Sequence, residues 1–81
     1  MSKREEILSR VIDIAVKTLN LKKESISEKS SFVEDLGADS LDVVEFVMAL
    51  EDEYSIKIDE NDAQSIKTVE DAVNYIEKKI A

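Results

Sequence analysis

Two absences restrict the chemistry open to this chain, since its 81 residues include no cysteine and no histidine. The chain therefore has no thiolate nucleophile, no imidazole base, no disulfide and none of the usual zinc ligand sets. Its remaining reactive groups are mainly carboxylates and hydroxyls. If the protein takes part in thioester chemistry, the sulfur atom must come from a group attached to it.

The most suggestive hydroxyl is that of Ser40, in the segment 35–41, which reads DLGADSL. Asp39 and Ser40 stand just before an apolar helical pattern, where an Asp-Ser pair commonly does no more than cap the helix. Gly37, the only glycine in a chain without proline, would let the backbone turn sharply into that helix. The pair alone therefore indicates no more than a helix cap.

The acidic residues do not form a calcium-binding loop. Residues 59–63 read DENDA, which lacks the alternating oxygen ligands and the glycine of an EF-hand loop. We therefore predict no specific metal site, and weak binding of divalent ions to the acidic helices is left open.

Charge is distributed unevenly along the chain, whose formal net charge is −8. Residues 1–31 carry seven basic and five acidic side chains, residues 32–66 carry one and eleven, and residues 67–81 carry three of each. The middle segment, with a net charge of −10, should repel nucleic acid and anionic lipid and attract partners with basic surfaces. The plain alternative is a solvated surface that prevents aggregation.

The elements that would position Ser40 are helices. Apolar residues recur at spacings of three and four, and the chain has no hairpin turn of the Asn-Gly type. We predict an all-α fold with a single domain over 1–81, a small four-helix bundle of three longer helices and one short helix. The predicted helices cover residues 3–19, 40–54, 60–65 and 69–80. No stretch is apolar for long enough to span a membrane, and the charged N-terminus does not resemble a signal peptide.

Three of these helices have candidate N-caps. Ser2, Asp59 and Thr68 precede the first, third and fourth helices, and their side chains can accept hydrogen bonds from the first turn. Glu5 and Asp62 stand at the capping-box positions of the first and third helices.

A long connection, residues 20–39, joins the first two helices. A loop of this length is unusual in a small domain unless it is functional. Its apolar residues should pin it across the helices, and they are Leu21, Ile26, Phe32, Val33 and Leu36.

The second predicted helix has apolar residues on two sides. At 3.6 residues per turn, its core face carries Val43, Phe46, Val47, Leu50 and Tyr54. The opposite side carries Leu41 and Met48, with Glu45, Glu51 and Asp52 around them. A surface helix needs only one apolar face, so this second one suggests a docking surface on which methionine adapts to different basic partners. Incidental exposure of two apolar residues is the alternative.

The longer run of residues 32–42, FVEDLGADSLD, resembles the attachment motif of acyl carrier proteins. The resemblance continues through residues 47–51 and 66–69 and covers nearly the whole chain, including its length, charge and helix order. In that family a serine is esterified to 4′-phosphopantetheine, which a separate transferase takes from coenzyme A, and acyl groups are carried as thioesters on its thiol. The resemblance implies that Ser40 is this serine. Its phosphodiester would lie near unpaired backbone N–H groups and the positive end of the helix dipole.

The resemblance implies a carrier and not an enzyme. The implied function is to shuttle growing fatty acyl chains between the enzymes of a dissociated, bacterial-type fatty acid synthesis system. The implied partners are a phosphopantetheinyl transferase and synthesis enzymes with basic patches, and we expect a cytoplasmic monomer. The positions that match the family's recognition surface are Asp39, Leu41, Asp42, Glu45, Met48, Glu51, Asp52, Ile58 and Glu60. A cavity for the acyl chain is implied at Val43, Val47, Leu50, Tyr54, Ala63 and Ile66, for which ordinary core packing is the alternative.

Several positions depart from the commonest bacterial pattern of that family. Asp59 stands where proline is frequent, Asn61 and Gln64 replace acidic residues, and Phe46 replaces a leucine. These changes leave the docking of the third helix and the size of the cavity open.

Two other functions stay open as well. One is a carrier of another cargo, such as a polyketide, an aminoacyl group or a lipid A precursor. The other is an acidic helical interaction module without a prosthetic group.

Overall fold

The computed structural model describes residues 3–80. The elements are α1 (Lys3–Leu19), a 3-10 turn (Lys23–Ser25), α2 (Ser40–Tyr54), α3 (Glu60–Ser65) and α4 (Val69–Ile80). The all-α prediction is confirmed, and so are the bounds of the four helices, while the 3-10 turn was not predicted. The predicted cap at Ser2 lies outside the described residues.

Helices α1, α2 and α4 share one core because each has a single buried stripe. Helix α1 packs against both of the others. The fully or nearly fully buried side chains of the stripes are Ile7, Val11 and Ala15 from α1, Phe46, Val47 and Leu50 from α2, and Val69, Ala72, Val73 and Ile76 from α4. The core face predicted for α2 is confirmed at Phe46, Val47 and Leu50, while Val43 and Tyr54 are half-buried.

The connection between α1 and α2 crosses the bundle and is pinned to it. Ile26 and Phe32 are buried, and the Phe32 ring lies 4.7 Å from the Phe46 ring, centroid to centroid. The Phe32 N–H also donates to the Lys67 carbonyl at 3.0 Å, just ahead of α4. The prediction that Val33 anchors this segment is wrong, since Val33 is 61% exposed. Phe32 takes the inward position, and the turn that follows it carries Val33 into solvent.

The caps of α4 and α3 differ. The Thr68 cap is confirmed, since its Oγ1 accepts from the Asp71 N–H at 3.1 Å and the Asp71 carboxylate accepts from the Thr68 N–H at 3.1 Å. Asp59 does occupy the N-cap position of α3, but its side chain makes no capping hydrogen bond, so the predicted capping box is wrong. The Asp62 carboxylate instead accepts a hydrogen bond from the Tyr75 hydroxyl in α4, at 2.8 Å.

Candidate functional site

Ser40 is the first residue of α2, and its neighbours form the helix cap. The Asp39 carboxylate accepts from the Asp42 N–H at 2.9 Å, and the Asp42 carboxylate accepts from the Asp39 N–H at 3.2 Å. This reciprocal capping box engages the N–H groups of Asp39 and Asp42 and makes no use of the Ser40 hydroxyl. Ser40 is exposed, so its hydroxyl is available to a reagent or an enzyme.

The turn before α2 fixes where Ser40 stands. Gly37 has a φ of +68°, in the left-handed region that favours glycine, so the predicted sharp turn is confirmed. Ala38 follows it into the core, where it is 6% exposed, and its N–H donates to the Phe32 carbonyl at 2.8 Å. Ser40 therefore comes two residues after a buried anchor, at the start of a capped helix.

An apolar groove of about 580 Å³ runs between α2 and α3, and Ser40 is one of the residues that line it. Three of the residues predicted for an acyl cavity, Val43, Val47 and Ala63, line this groove. The other three do not. Leu50 and Ile66 are buried in the core, and Tyr54 is half-buried against it, because these residues face the interior of the bundle.

The side of α2 that faces away from the core exposes apolar residues, as predicted. Leu41 is 66% exposed and Met48 57% exposed. The structure adds Val44, which is 52% exposed, and Val33, which is 61% exposed and had been predicted to be an anchor. These four residues, Val33, Leu41, Val44 and Met48, form the exposed apolar surface near Ser40. Val44 lies one helical turn before Met48, and this spacing could have identified Val44 as part of the exposed surface.

Acidic residues surround this exposed apolar surface and are not neutralised by the chain itself. Asp39, Glu45, Asp52 and Glu60 are exposed, and Asp42 is half-buried. None of these five takes part in an ion pair within residues 3–80, where the ion pairs join other residues. The surface therefore presents uncompensated negative charge around an apolar centre, which suits a partner with basic groups.

Two of the residues predicted for partner recognition are placed differently. Ile58 is only 7% exposed and lines the groove, so it belongs to the groove wall and not to the exposed surface. Glu51 is half-buried, and its carboxylate accepts from the Ile58 N–H at 2.7 Å. This bond follows from the chain reversal at Ser55, which ends α2 with a φ of +51° and turns the backbone back toward the helix.

Neither a metal centre nor a membrane span is found in residues 3–80. This part of the chain contains no cluster of three side chains that could hold a metal ion. It also contains no helix with the length and apolar character needed to cross a bilayer.

Comparison with known proteins points to one family. Residues 9–76 match the family described as a phosphopantetheine attachment site. An acyl carrier protein of Thermotoga maritima is 45% identical over 80 residues, which are 99% of both chains. An acyl carrier protein of Bdellovibrio bacteriovorus is 47% identical over 86% of this chain and 90% of its own. An acyl carrier protein of Wolinella succinogenes is 52% identical over 88% of this chain and 93% of its own.

Proposed function

Because the chain belongs to the acyl carrier protein family, we propose that Ser40 is the residue that bears its phosphopantetheine arm. The protein is a carrier of acyl groups and not an enzyme, and phosphopantetheine is its prosthetic group. The observation that supports Ser40 is its exposed hydroxyl, which stands first in α2 while Asp39 and Asp42 form the cap. The arm supplies the thiol that forms the thioester, which this chain lacks.

The start of α2 suits the phosphodiester through which the arm would be attached. The backbone N–H groups of the first helical turn and the positive end of the helix dipole favour an anion there. Only one of these N–H groups, that of Asp42, is engaged by the Asp39 side chain. Ser40 would therefore hold the anion against donors that the helix leaves unpaired.

The cargo that we propose is a fatty acyl chain. The groove beside Ser40 has a volume of about 580 Å³ and is lined largely by valine, methionine, isoleucine and alanine side chains. Such a lining favours an alkyl chain over an aminoacyl group, since burial of apolar surface releases about 25 cal/mol per Å². Identification of the thioesters that the native protein carries tests this choice, and an absence of fatty intermediates would refute it.

Partners should dock on the exposed apolar surface and its acidic surroundings. We propose that the partners are a phosphopantetheinyl transferase and fatty acid synthesis enzymes, and that they bind this surface through basic patches. We also propose that the carrier works as a monomer in the cytoplasm. Individual exposed ion pairs contribute only about 0–1 kcal/mol, which suits brief visits to many enzymes. The partner-binding residues that remain accessible are Asp39, Leu41, Asp42, Glu45, Met48, Asp52 and Glu60.

The attachment site is tested by mass spectrometry after co-expression with a phosphopantetheinyl transferase. The unchanged chain should gain the mass of one phosphopantetheine, Ser40→Ala should gain nothing, and the control Ser9→Ala, at an exposed serine of α1, should gain the same mass as the unchanged chain. A gain on Ser40→Ala would refute the assignment.

A further variant separates the carrier from an interaction module without a prosthetic group. Ser40→Asp keeps a residue that suits the first turn of a helix but removes the hydroxyl. It should fold normally and lose all acyl transfer. Retained function in this variant would support the interaction module.

A further inference from the structure

The short helix α3 forms one wall of the groove, but packing holds it only weakly. None of its six residues is buried, and the Asp59 side chain does not cap it. The buried residues of this region, Ile58 and Ile66, lie on either side of the helix and not within it. The position of the wall must therefore depend on specific contacts made by the segment.

Two side-chain hydrogen bonds join residues 58–66 to the longer helices. Among the described residues, no other side-chain hydrogen bond links this segment to α2 or α4. The Glu51 carboxylate in α2 holds the Ile58 N–H at 2.7 Å, ahead of α3. The Tyr75 hydroxyl in α4 donates to the Asp62 carboxylate at 2.8 Å. Only the second bond is made by a residue of α3 itself.

The Tyr75–Asp62 bond reaches α3 from outside the groove. Glu60, Ala63 and Gln64 line the groove, whereas Asp62 does not. Burial and the bond to Asp62 raise the pKa of Tyr75 to about 12, so the phenol stays protonated and able to donate at neutral pH. A movement of α3 that enlarges the groove must break this bond or carry Tyr75 with it.

We propose that the Tyr75–Asp62 hydrogen bond is a tether that sets the resting position of α3 and thereby influences how long an acyl chain the groove accommodates. The inference rests on the proposed function, since it assumes that acyl groups attached through Ser40 enter this groove. A short chain fits without moving α3. A long chain has to displace α3, and the cost of that displacement includes the hydrogen bond.

The tether itself is tested on the unmodified chain by amide hydrogen exchange, followed by NMR. The probes are the N–H groups of Ala63 and Ile66, which are bonded to the carbonyls of Asp59 and Ala63. Tyr75→Phe should speed their exchange about three- to tenfold, as expected for the loss of one hydrogen bond. Amides in the middle of α1 exchange by global unfolding, so their change should equal the loss of stability measured in urea.

Two controls isolate the hydrogen bond. Tyr54→Phe removes a hydroxyl of the same kind that has no partner among the described residues, and it should not speed exchange in α3. Asp62→Asn, which keeps an acceptor oxygen, should exchange more slowly in α3 than Asp62→Ala. Unchanged exchange in Tyr75→Phe would overturn the tether.

The influence on chain length is tested with protein whose phosphopantetheine arm at Ser40 carries, as thioesters, a series of saturated chains from butanoyl to hexadecanoyl. The measured quantity is the rise in Tm that each chain produces over the phosphopantetheine form. In Tyr75→Phe the rise for the long chains should increase relative to the short ones, because displacing α3 no longer breaks the bond. An identical dependence on chain length in both proteins would overturn this role, whatever the exchange result.

The two levels of the inference fail separately. If no phosphopantetheine can be attached at Ser40, the proposed function is refuted, and the role in chain length falls with it. The exchange experiment needs no prosthetic group, so it still decides whether Tyr75 tethers α3.

Discussion

The two tyrosines of this chain should respond with opposite signs to the same substitution. The Tyr54 hydroxyl is buried and has no hydrogen-bond partner among the described residues. The Tyr75 hydroxyl donates to the Asp62 carboxylate at 2.8 Å. Replacement with phenylalanine removes the hydroxyl in both cases. At Tyr54 the lost hydroxyl had no hydrogen-bond partner, whereas at Tyr75 it had one.

The size of each effect follows from the cost of burying a polar group. An unpaired buried hydroxyl costs about 1–3 kcal/mol, and its removal leaves a small void, so Tyr54→Phe should raise the free energy of unfolding by about 1 kcal/mol. Tyr75→Phe loses a hydrogen bond worth about 0.5–1.5 kcal/mol and should lower the free energy of unfolding by a similar amount. In a domain of this size ~1 kcal/mol shifts Tm by about 4–8 °C. The two variants should therefore differ in Tm by roughly 10 °C.

The assay is urea and thermal unfolding followed by circular dichroism, with equal m-values as evidence that only stability has changed. The double variant should lie near the unchanged chain, because independent effects add. A lower stability of Tyr54→Phe would refute the reasoning, since it would show that the hydroxyl has a partner in solution. A higher stability of Tyr75→Phe would show that the bond to Asp62 is not stabilising.

Three further predictions concern the Asp39 cap of α2, the acidic charge of residues 32–66 and the ionisation of Tyr75. Asp39→Ala removes the acceptor of the Asp42 N–H and should lower the free energy of unfolding in urea by about 1 kcal/mol, whereas Asp39→Asn, which can still cap, should cost less. Added salt should raise Tm because eleven acidic side chains and one basic side chain share residues 32–66, and a constant Tm across the titration would contradict this. The pKa of Tyr75 is raised by burial and by Asp62 to about 12 in the folded chain, so its contribution to stability is fully present below about pH 10 and is lost as the pH rises to about 12. Unfolding across this range should show a steeper loss in the unchanged chain than in Tyr75→Phe, and parallel curves would contradict the assignment.

The fold could be predicted from the sequence where local and tertiary preferences agree. The apolar stripe of α4 and its Thr68 cap specify the same helix start, and Asp71 completes that cap. Gly37 is the chain's only glycine, the residue type that adopts a positive φ most readily, and it does so at the turn before α2. The placement of Ser40 at the start of α2 follows from these two kinds of local signal.

The remaining placements depended on contacts between distant parts of the chain. Val33 is apolar but lies in a turn, where no periodicity indicates which way a side chain points. Asp62 has the spacing of a capping box, yet its carboxylate is engaged by Tyr75, thirteen residues further along the chain. Glu51 lies on the polar side of α2 by helical position, and only the reversal at Ser55 brings the Ile58 N–H to it. The hydrogen bonds of Asp62 and Glu51 could not be predicted because tertiary packing sets their partners.

Ser40, the proposed attachment site, lies beside the least firmly packed element of the bundle, and this arrangement separates two requirements of a carrier. Ser40 is fixed by the Asp39–Asp42 cap and by a helix whose core residues, Phe46 and Leu50, are fully buried. Displacement of α3 breaks side-chain hydrogen bonds worth about 0.5–1.5 kcal/mol each, whereas unfolding a domain costs about 5–15 kcal/mol. The groove can therefore open at a fraction of the stability of the bundle while Ser40 stays in place. A more tightly packed α3 would stabilise the empty protein and would make every enlargement of the groove more costly.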